Sequence, residues 1–411
     1  MKNVTVIGAG IVGICSALSL TQAGARVRLI DRDLPGQGAS FGNAGVISPW
    51  SIIPQSMPGV WKNIPRWLLD PNGPVSIKLS HLPRLLPWTM KFLSNARMDR
   101  VHATITAMET LNHSNVELYR AHLAGTGHEN LIQDSYYVHA FRNADNARLN
   151  ALEYSLRQER GAQLERIGAK HLQELEPALT KEFKAAILIK DQGRATSPGK
   201  IGEVLADKFR ALGGIIERTD VHTLQSNEGA WQIITSTGTL NADNLVLSAG
   251  AWSADLLRPL GIKIPMQAER GYHAMFENPG LTLNHSIMDV DHKCVASSMD
   301  GGLRVAGQAE FANINAPESS AKAHRMSKLA RKMVPDLPDT PPTTWMGVRP
   351  SLPDSLPCIG AVPGMENLYA AFGHSHYGLM MAPKTGRLIS DIVMNKPIND
   401  DISPFRVDRF N

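Results

Sequence analysis

Two stretches near the end of the chain carry residue types that bind anions and move protons. The first runs from Trp345 to Gly360 and contains Arg349 and Asp354. A guanidinium can hold a carboxylate through two parallel, charge-assisted hydrogen bonds, which orient the carboxylate and balance its negative charge. Arg349 is therefore our first candidate for a group that binds a substrate carboxylate. The alternative is a structural ion pair with Asp354.

The second stretch is the turn between Gly373 and Gly378, which joins an apolar strand to a helix. It carries His374, His376 and Tyr377, whose side chains we expect to border a pocket. Because a histidine exchanges protons near neutral pH, either of the two could assist the deprotonation of an amine. The alternative for each histidine is a hydrogen-bonded structural role.

The elements that must position this chemistry begin at the N-terminus. A β-branched strand at residues 4–7 is followed by Gly8, Gly10 and Gly13, a helical pattern and a second strand that ends at Asp31. This order is the one that a dinucleotide-binding βαβ unit requires. Gly8 permits the turn, Gly10 lets a pyrophosphate approach the backbone, and Gly13 lets the helix pack against the sheet. The alternative is a glycine-rich turn in another α/β protein.

Both ends of this unit predict contacts with the cofactor. The free N–H groups at the start of the helix, at Ile11 and Val12, would face the phosphates together with the positive end of the helix dipole. The carboxylate of Asp31, with Arg32 beside it as a further contact, can accept hydrogen bonds from both hydroxyls of an adenosine ribose. Since a 2′-phosphate would be repelled there, the sequence favours FAD or NAD over NADP.

A loop of small residues follows at 34–45 and includes Ser40, Asn43, Ala44 and Gly45. It suits a segment that runs along a cofactor. The βαβ unit followed by this Ala-Ser-Phe-x-Asn-Ala-Gly loop resembles the D-amino-acid dehydrogenases, which belong to the wider family of FAD-dependent amine and amino-acid oxidoreductases. The resemblance implies FAD rather than NAD. Some relatives hold the flavin covalently through a histidine in this loop, and Asn43 in that region favours non-covalent FAD.

The resemblance also implies cofactor contacts later in the chain. A strand that begins near Val221 touches the adenine in relatives, and a small-residue turn after a buried strand resembles the family's second cofactor-proximal turn. Backbone N–H groups at the start of the last helix could stabilise the negative charge that a flavin acquires when it accepts hydride. The residues concerned in the turn and the helix are Ala249, Gly250, Trp252, Gly378, Leu379 and Met380.

The resemblance also extends to three positions that border the substrate pocket in the family. The stretch at 345–360 resembles the family's Gly-x-Arg-Pro run, in which the arginine that matches Arg349 binds the substrate carboxylate. Tyr272 falls on a strand where relatives place a pocket residue. Several D-amino-acid dehydrogenases have Gly-His-Gly where this chain has a His-Ser-His-Tyr turn, so the resemblance leaves the exact substrate open.

Composition excludes several function classes. The chain of 411 residues is 43% hydrophobic and 19% charged, which is typical of a globular protein with two or three domains. Its net charge of +4 and the absence of a block of basic residues argue against a nucleic-acid-binding protein. Three separate cysteines indicate a reducing compartment and no metal site. We expect no signal peptide and no spanning segment, and hence a cytoplasmic protein, with peripheral contact to the inner face of the membrane as an extension.

Residues 49–95 differ from the rest of the chain in being rich in proline, tryptophan and basic residues. One interpretation is an inserted segment that covers the flavin and docks on the protein, and the other is a surface that lies on a membrane. The tryptophans and basic residues that suggest these alternatives are Trp50, Trp61, Trp67, Trp88, Lys62, Arg66, Lys78, Arg84 and Lys91.

The order of predicted elements indicates an α/β protein, α+β overall. We predict a Rossmann-like FAD-binding domain with an interleaved substrate domain built on an antiparallel sheet. The FAD-binding domain would comprise 1–48, 191–262 and 344–411, and the substrate domain 49–190 and 263–343. Within the latter, the segment at 147–179 is predicted as two helices broken near a glycine.

The motifs and the resemblance together predict FAD-dependent oxidative deamination of a D-amino acid or a D-imino acid, for example a D-proline-like compound. Hydride would leave Cα for flavin N5, and the imine would hydrolyse to a 2-oxo acid. The electron acceptor would be a quinone or the respiratory chain. Alternatives are a glycine- or sarcosine-type oxidase that uses oxygen, an NAD-dependent reductase and a non-catalytic flavin-binding protein.

Overall fold

The three-dimensional structure is a computed structural model, which describes residues 1–62, 64, 70, 73–227 and 229–410. Within the unusual segment at 49–95, four of the residues that set it apart lie outside the described residues, namely Pro65, Arg66, Trp67 and Pro71.

Strands and helices alternate along most of the described chain. The strands are β1 (Asn3–Ile7), β2 (Arg26–Asp31), β3 (Val46–Ile47), β4 (Val75–Ile77), β5 (Ile132–Phe141), β6 (Leu164–Gly168), β7 (Ala185–Ala195), β8 (Ile215–Arg218), β9 (Val221–Asn227), β10 (Ala230–Thr235), β11 (Gly238–Ala242), β12 (Asn244–Leu247), β13 (Gln267–Glu277), β14 (Ser286–Asp289), β15 (Cys294–Met299), β16 (Gly302–Phe311), β17 (Thr343–Ser351), β18 (Cys358–Ala361) and β19 (Leu368–Phe372). The α-helices are α1 (Ile11–Gln22), α2 (Leu82–Ser94), α3 (Met98–Asn112), α4 (Asn115–Leu123), α5 (Leu152–Glu159), α6 (Ala169–Leu175), α7 (Pro198–Ala211), α8 (Ser253–Leu257), α9 (Ser320–Met333) and α10 (Gly378–Val393).

A six-stranded sheet has the order β18-β19-β12-β1-β2-β8 and is parallel except for the edge strand β18. Its strands are apolar on both sides because both faces are covered. Residues such as Val6 and Leu29 pack in a core with α1, α7 and α10, whereas Ile7 and Ile30 pack in a second core beneath the β9–β11 sheet. This is the doubly wound arrangement expected of a dinucleotide-binding domain, and the predicted fold class is confirmed.

A larger, mostly antiparallel sheet has the order β17-β13-β16-β15-β14-β5-β7-β3, with β4 beside β16 and β6 beside β7. Helix α9 covers one face of β13 and β16, where Met326 and Met333 join the core. The opposite face of β13 and β17 meets the loop that follows β2, where His273 contacts Gly42 and Trp345 contacts Phe41. Alternation along these strands therefore decides which side chains reach the site.

Two strands cross boundaries that we predicted between domains. Strand β7 passes through the boundary at 190/191. Strand β17 spans the predicted boundary at 343/344 and pairs with β13 of the larger sheet along its whole length. The prediction of two helices at 147–179 is wrong in one respect. Strand β6 lies between α5 and α6 because the 164–168 backbone pairs with the edge of β7.

The segment at 49–95 has one face against the protein and one face exposed. Trp88 of α2 is buried and donates from Nε1 to the carbonyl of Ser351 at 3.2 Å. The opposite side of the segment exposes large apolar side chains at Trp61, Leu79, Leu82, Leu86, Met90 and Leu93. Among the described residues, no helix is long and apolar enough to cross a membrane.

Candidate functional site

The three glycines after β1 have different surroundings. A Cβ at Gly13 would lie 1.8 Å from the carbonyl oxygen of Gly8, so this glycine is needed for α1 to pack against the turn. Gly8 has a φ of +102° and touches the backbone of Ser248. A Cβ at Gly10, by contrast, would meet no protein atom within 4 Å. Space therefore remains beside the backbone where α1 begins.

Asp31 ends β2 beside this turn. Its Oδ2 accepts a hydrogen bond from the N–H of Ala9 at 2.6 Å, and its Oδ1 accepts one from the N–H of Asp33 at 2.9 Å. Burial raises the pKa of Asp31, and these two bonds act in the opposite direction. Each carboxylate oxygen keeps a further lone pair, so two ribose hydroxyls could still donate to it. The guanidinium of Arg32 lies 4.1 Å from the ring centre of Trp252.

The turn after β12 lies directly against the first glycine turn. Ser248 donates from Oγ to the carbonyl oxygens of Ile7 and Gly8 at 2.8 and 3.1 Å, and Ala249 and Gly250 continue from it. Val221 packs in the same apolar cluster as Ile7. The structure thus brings the predicted positions at 221 and 248–252 to the end of the first two strands.

The 40–45 loop is held by the larger sheet. Arg304 donates from Nη1 to the carbonyl oxygens of Phe41 and Asn43 at 2.8 and 2.9 Å, and burial lowers the pKa of Arg304 to about 10. His273 donates from Nδ1 to the carbonyl of Gly42 at 3.1 Å and stacks on Trp345.

The side chain of Asn43 closes this loop by accepting from the N–H of Gly45 at 2.8 Å, and Ala44 between them is buried. The carbonyl of Gly45 accepts from the N–H of Ala195 at 2.7 Å. The predicted loop residues are therefore fixed by backbone contacts with the larger sheet.

Helix α10 begins at the same edge of the sheet as α1, because each helix follows one of the parallel strands. A Cβ at Gly386 would lie 2.5 Å from the carbonyl oxygen of Cys15, so the two helices touch along their backbones. Tyr377 provides no side-chain cap, and the first N–H groups of α10 have no intrahelical acceptor. Ser40 approaches this end, with its Oγ 3.9 Å from a Cβ built on Gly378.

Arg349 does not pair with Asp354, which instead binds Arg409. Its Nη1 donates to Oε1 of Glu269 and to the carbonyl oxygen of Gln308, both at 2.8 Å. Within the described residues, no acceptor bonds to Nε or Nη2 of Arg349, and its side chain is 21% exposed. One edge of the guanidinium therefore stays available for an anion.

Glu269 is the counter-ion of this cluster and is buried. Its Oε1 also lies 2.5 Å from Nε2 of His376. Burial raises the pKa of the Glu269 carboxyl, but its electrostatic interactions and hydrogen bonds with His376 and Arg349 outweigh burial and bring the pKa to about 2. Glu269 is therefore an ionised carboxylate at neutral pH.

The two histidines of the turn differ. His374 is buried and bonds from Nε2 to Oγ1 of Thr385 at 3.0 Å, and burial lowers its pKa to about 3. The side chain of His376 lies in the Arg349 cluster and is 35% exposed. Tyr377 donates from its hydroxyl to the carbonyl of Ile53 at 3.0 Å, which ties the start of the 49–95 segment to the turn.

Tyr272 lies on the opposite face of β13 from this cluster. Glu269 pairs with Arg349 in register, and residues of odd number on β13 share its face. The hydroxyl of Tyr272 donates to Oε2 of Glu310 at 2.7 Å, and its ring packs in the core under α9. The structure does not bring Tyr272 together with Arg349.

These observations fit FAD. The open backbone at Gly10 and the uncapped N-terminus of α1 match a pyrophosphate. The uncapped N-terminus of α10 at the same sheet edge matches a flavin, and the carboxylate at the end of β2 matches a ribose. Residues 3–392 match the family described as FAD dependent oxidoreductase (DAO). The chain belongs to this family. It is therefore an FAD-dependent oxidoreductase, and the expectations of an enzyme with an FAD cofactor are confirmed.

Two relatives span this oxidoreductase from end to end. A D-amino-acid oxidase of Bradyrhizobium diazoefficiens is 36% identical over 100% of this chain and 99% of its own length. A D-amino acid dehydrogenase of Paramagnetospirillum magneticum is 31% identical over 99% of both. Among solved structures, glycine oxidase from Geobacillus kaustophilus has a TM-score of 0.77 at 21% identity and covers 100% of this chain and 99% of its own, which establishes a shared fold.

Sequence reasoning missed the side chains of the oxidoreductase that hold Arg349 and the 40–45 loop. Glu269 and His273 share one face of β13, and Arg304 lies on β16. A signal for Glu269 was present, because an acidic residue in an otherwise buried strand needs a cationic partner. No local pattern marked Arg304, whose acceptors are loop carbonyls more than 250 positions away in the sequence.

Proposed function

We propose that this oxidoreductase oxidises the Cα–N bond of D-amino or D-imino acids, with Arg349 binding the substrate carboxylate. The observation that carries the proposal is the free Nε–Nη2 edge of Arg349 beside the start of α10. A carboxylate can accept two parallel hydrogen bonds from that edge. The names of two full-length relatives, a D-amino-acid oxidase and a D-amino acid dehydrogenase, support this substrate class and its stereochemistry.

The protein's part in the reaction is to bind and orient the substrate. Nη1 of Arg349 is held by Glu269 and Gln308, so the guanidinium is already fixed before a carboxylate arrives. Such preorganisation lowers the entropic cost of positioning Cα. Bound FAD would supply the acceptor for the hydride that leaves Cα. The oxidised product is an imine, which water hydrolyses to a 2-oxo acid and ammonia or which persists when it is cyclic, as from a D-proline-like substrate.

We assign His376 and Tyr377 to the border of the substrate pocket, since His376 contacts Arg349 and Tyr377 follows it. His374 and Tyr272 are left out of this assignment because both are buried and neither bonds to Arg349. Nε2 of His374 bonds to Thr385, and the hydroxyl of Tyr272 bonds to Glu310 on the opposite face of β13. Uncapped N–H groups at Gly378, Leu379 and Met380 would stabilise negative charge on a neighbouring ring.

We further propose that FAD is bound without a covalent link. Asn43, at the position where some relatives carry a linking histidine, uses its side chain to close the loop on Gly45. The pyrophosphate would lie at Gly10, Ile11 and Val12, and the ribose at Asp31. Release of the flavin from denatured protein by acid precipitation tests this part directly.

For the electron acceptor, we propose a quinone reached at the surface of an anionic membrane. Leu86 and Met90 of α2 are 62% and 66% exposed, and Leu82 and Leu93 continue the same stripe at helical spacing. Arg84 and Lys91 are also exposed on this helix. Apolar side chains flanked by basic ones favour the interface of a bilayer with anionic lipid headgroups.

A second candidate is an oxidase of the glycine or sarcosine type that passes electrons to oxygen. The relative named as an oxidase is one observation in its favour. Peroxide released in stoichiometric amounts during aerobic turnover would support the oxidase, whereas turnover that requires a quinone or dye would support the dehydrogenase.

The proposed function is tested by anaerobic reduction of the bound flavin with a panel of D- and L-amino acids, D-hydroxyprolines and N-methylglycine. Loss of the flavin absorbance with D-amino or D-imino acids, and not with their L-enantiomers, is the expected result. A flavin that no member of the panel reduces would overturn the proposal and favour a non-catalytic flavin-binding protein.

A further inference from the structure

The hydrogen atoms around Arg349 fix the tautomer of His376. Nη1 carries two hydrogens, and both have acceptors at 2.8 Å, Oε1 of Glu269 and the carbonyl oxygen of Gln308. The third contact of Nη1, at 3.1 Å from Nε2 of His376, is therefore not a donated hydrogen bond. This leaves the imidazole itself to provide the hydrogen that its contact with Glu269 needs.

The contact between Nε2 of His376 and Oε1 of Glu269 requires a hydrogen atom between the two atoms. Nε2 and Oε1 lie 2.5 Å apart, and two lone pairs at this distance would repel each other. Because Oε1 of Glu269 also pairs with the permanently charged Arg349 at 2.8 Å, the carboxylate is ionised and the proton belongs to Nε2. In the neutral ring the lone pair is then on Nδ1, to which no described residue bonds.

We propose that Glu269 and His376 form a carboxylate–imidazole dyad in which Glu269 is a positioning residue and Nδ1 of His376 accepts the proton that the substrate ammonium must lose. The inference rests on the proposed function. Arg349 would hold the substrate carboxylate on its Nε–Nη2 edge, and its Nη1 lies 3.1 Å from Nε2 of His376, so His376 is the partly exposed titratable side chain next to the anchor. The α-nitrogen lies two bonds from the carboxylate carbon.

The proton-transfer step balances without another reactant. One N–H bond of the ammonium breaks, its electron pair stays on nitrogen, and the proton forms a bond to Nδ1. The imidazolium keeps its Nε2–H bond to Glu269, which stabilises the new positive charge. The proton then leaves to solvent, which the side chain of His376 reaches through its 35% exposure. Breaking of the Cα–H bond is the later redox step, in which the dyad takes no part.

The other charged and titratable groups around His376 do not take this role. Arg349 of β17 is a cation, and Glu269 of β13 is an anion that faces Nε2. Burial raises the pKa of Tyr377 to about 12, with Arg157 of α5 acting against this and Glu269 adding to it. Tyr377 therefore stays neutral, and its hydroxyl is bonded to Ile53.

The first test is the pH dependence of kcat in the holoenzyme, with His376→Gln and Glu269→Gln beside the unaltered protein. We expect kcat to fall on the acid side in the unaltered enzyme, where Nδ1 becomes protonated. His376→Gln should lower kcat at least tenfold and remove this acid limb. Glu269→Gln should move the limb to lower pH, since the imidazolium loses its carboxylate partner. Glu269→Asp should restore the original position in part.

Two controls keep the test decisive. Free imidazole should restore activity to His376→Ala, which a merely structural role would not allow. In the resting holoenzyme labelled with ¹⁵N-histidine, the signals lost in His376→Gln should report a protonated Nε2 and an unprotonated Nδ1. A proton on Nδ1, or a kcat profile unchanged in His376→Gln, would overturn the dyad. Failure of the proposed function looks different, because the flavin of the unaltered enzyme would then stay oxidised with every amino acid.

Discussion

The guanidinium of Arg349 lies flat against the backbone of Gly271 on the neighbouring strand. A Cβ built on Gly271 would lie 2.1 Å from Nη2 and 2.3 Å from Cζ of Arg349, and Gly271 pairs with Gly347 in the register of β13 and β17. Only glycine leaves this space. The orientation of the proposed carboxylate anchor therefore depends on a residue that has no side chain.

We predict that Gly271→Ala impairs carboxylate binding while the protein still folds. The new methyl group would push the end of a flexible arginine side chain and no backbone atom within its nearest contacts. We expect KM for the D-amino acid to rise at least tenfold, about 1.4 kcal/mol, because the bidentate geometry is lost. Steady-state kinetics and a thermal unfolding curve measure the two effects separately.

Gly168→Ala is the matched control for that substitution, because a Cβ there would meet no protein atom within 4 Å. Its kinetics should equal those of the unaltered enzyme. An unchanged KM in Gly271→Ala would mean that the guanidinium does not bind the carboxylate from its position on Gly271.

Substitutions at Gly10 and Gly13 should affect FAD binding and folding separately. A Cβ at Gly10 enters space free of protein atoms. Gly10→Ala should therefore leave the midpoint of thermal unfolding of the apoprotein unchanged but weaken the binding of FAD at least tenfold. Gly13→Ala should destabilise the apoprotein, because its Cβ would clash with the carbonyl oxygen of Gly8. Titration of apoprotein with FAD by fluorescence quenching measures affinity. Equal FAD affinity in Gly10→Ala would contradict our placement of the pyrophosphate.

Acidification should destabilise the protein partly through His374. Burial lowers the pKa of His374 to about 3, against about 6.5 in an unfolded chain. Between these values the unfolded state binds more protons, so stability falls as pH drops below about 6.5. His374→Gln should therefore reduce the pH dependence of the unfolding free energy by up to about 1.4 kcal/mol per pH unit.

Urea unfolding at pH 7.5 and pH 5 measures this dependence, and the slope with pH is the readout rather than the absolute stability. The exposed His113 provides the control, since His113→Gln should leave the slope unchanged. A slope identical to that of the unaltered protein in His374→Gln would show that this histidine is not neutral in the folded state.

The exposed stripe of α2 should bind anionic membranes. We expect sedimentation with phosphatidylglycerol vesicles, and much less with pure phosphatidylcholine. Leu86→Glu combined with Met90→Glu should weaken this binding at least tenfold, because each change removes an apolar side chain and adds a negative charge. Leu212→Glu, at an exposed leucine elsewhere, should have no effect. Equal binding of the double variant to the vesicles would rule out the stripe as the membrane surface.

The FAD-binding fold could be predicted from sequence because its signals are local. Gly8, Gly10, Gly13 and Asp31 lie within one βαβ unit, where spacing and secondary structure determine one another. The pairing of β6 with the edge of β7 was missed, since the 164–168 segment becomes a strand only through that neighbour. The sequence of this segment alone does not distinguish a strand from a helix.

The candidate site could be predicted only in part. Arg349 stands out by residue type and by its motif, but its partner Glu269 lies 80 positions away and is identified by strand register. The same register decides between Tyr272 and its neighbour His273, because a shift of one residue exchanges the two faces of a strand. Sequence reasoning named Tyr272, and the structure places His273 on the face of the 40–45 loop.

The most direct test of the account is the effect of Arg349→Met on two substrates that differ only in the carboxylate, D-proline and pyrrolidine. If the free edge of the guanidinium binds the carboxylate, the substitution should lower kcat/KM for D-proline at least tenfold, as expected for an anchor worth about 1.5–3 kcal/mol, and leave oxidation of pyrrolidine nearly unchanged. An unchanged kcat/KM for D-proline, or an equal loss for both compounds, would contradict the assignment of Arg349 as the carboxylate anchor.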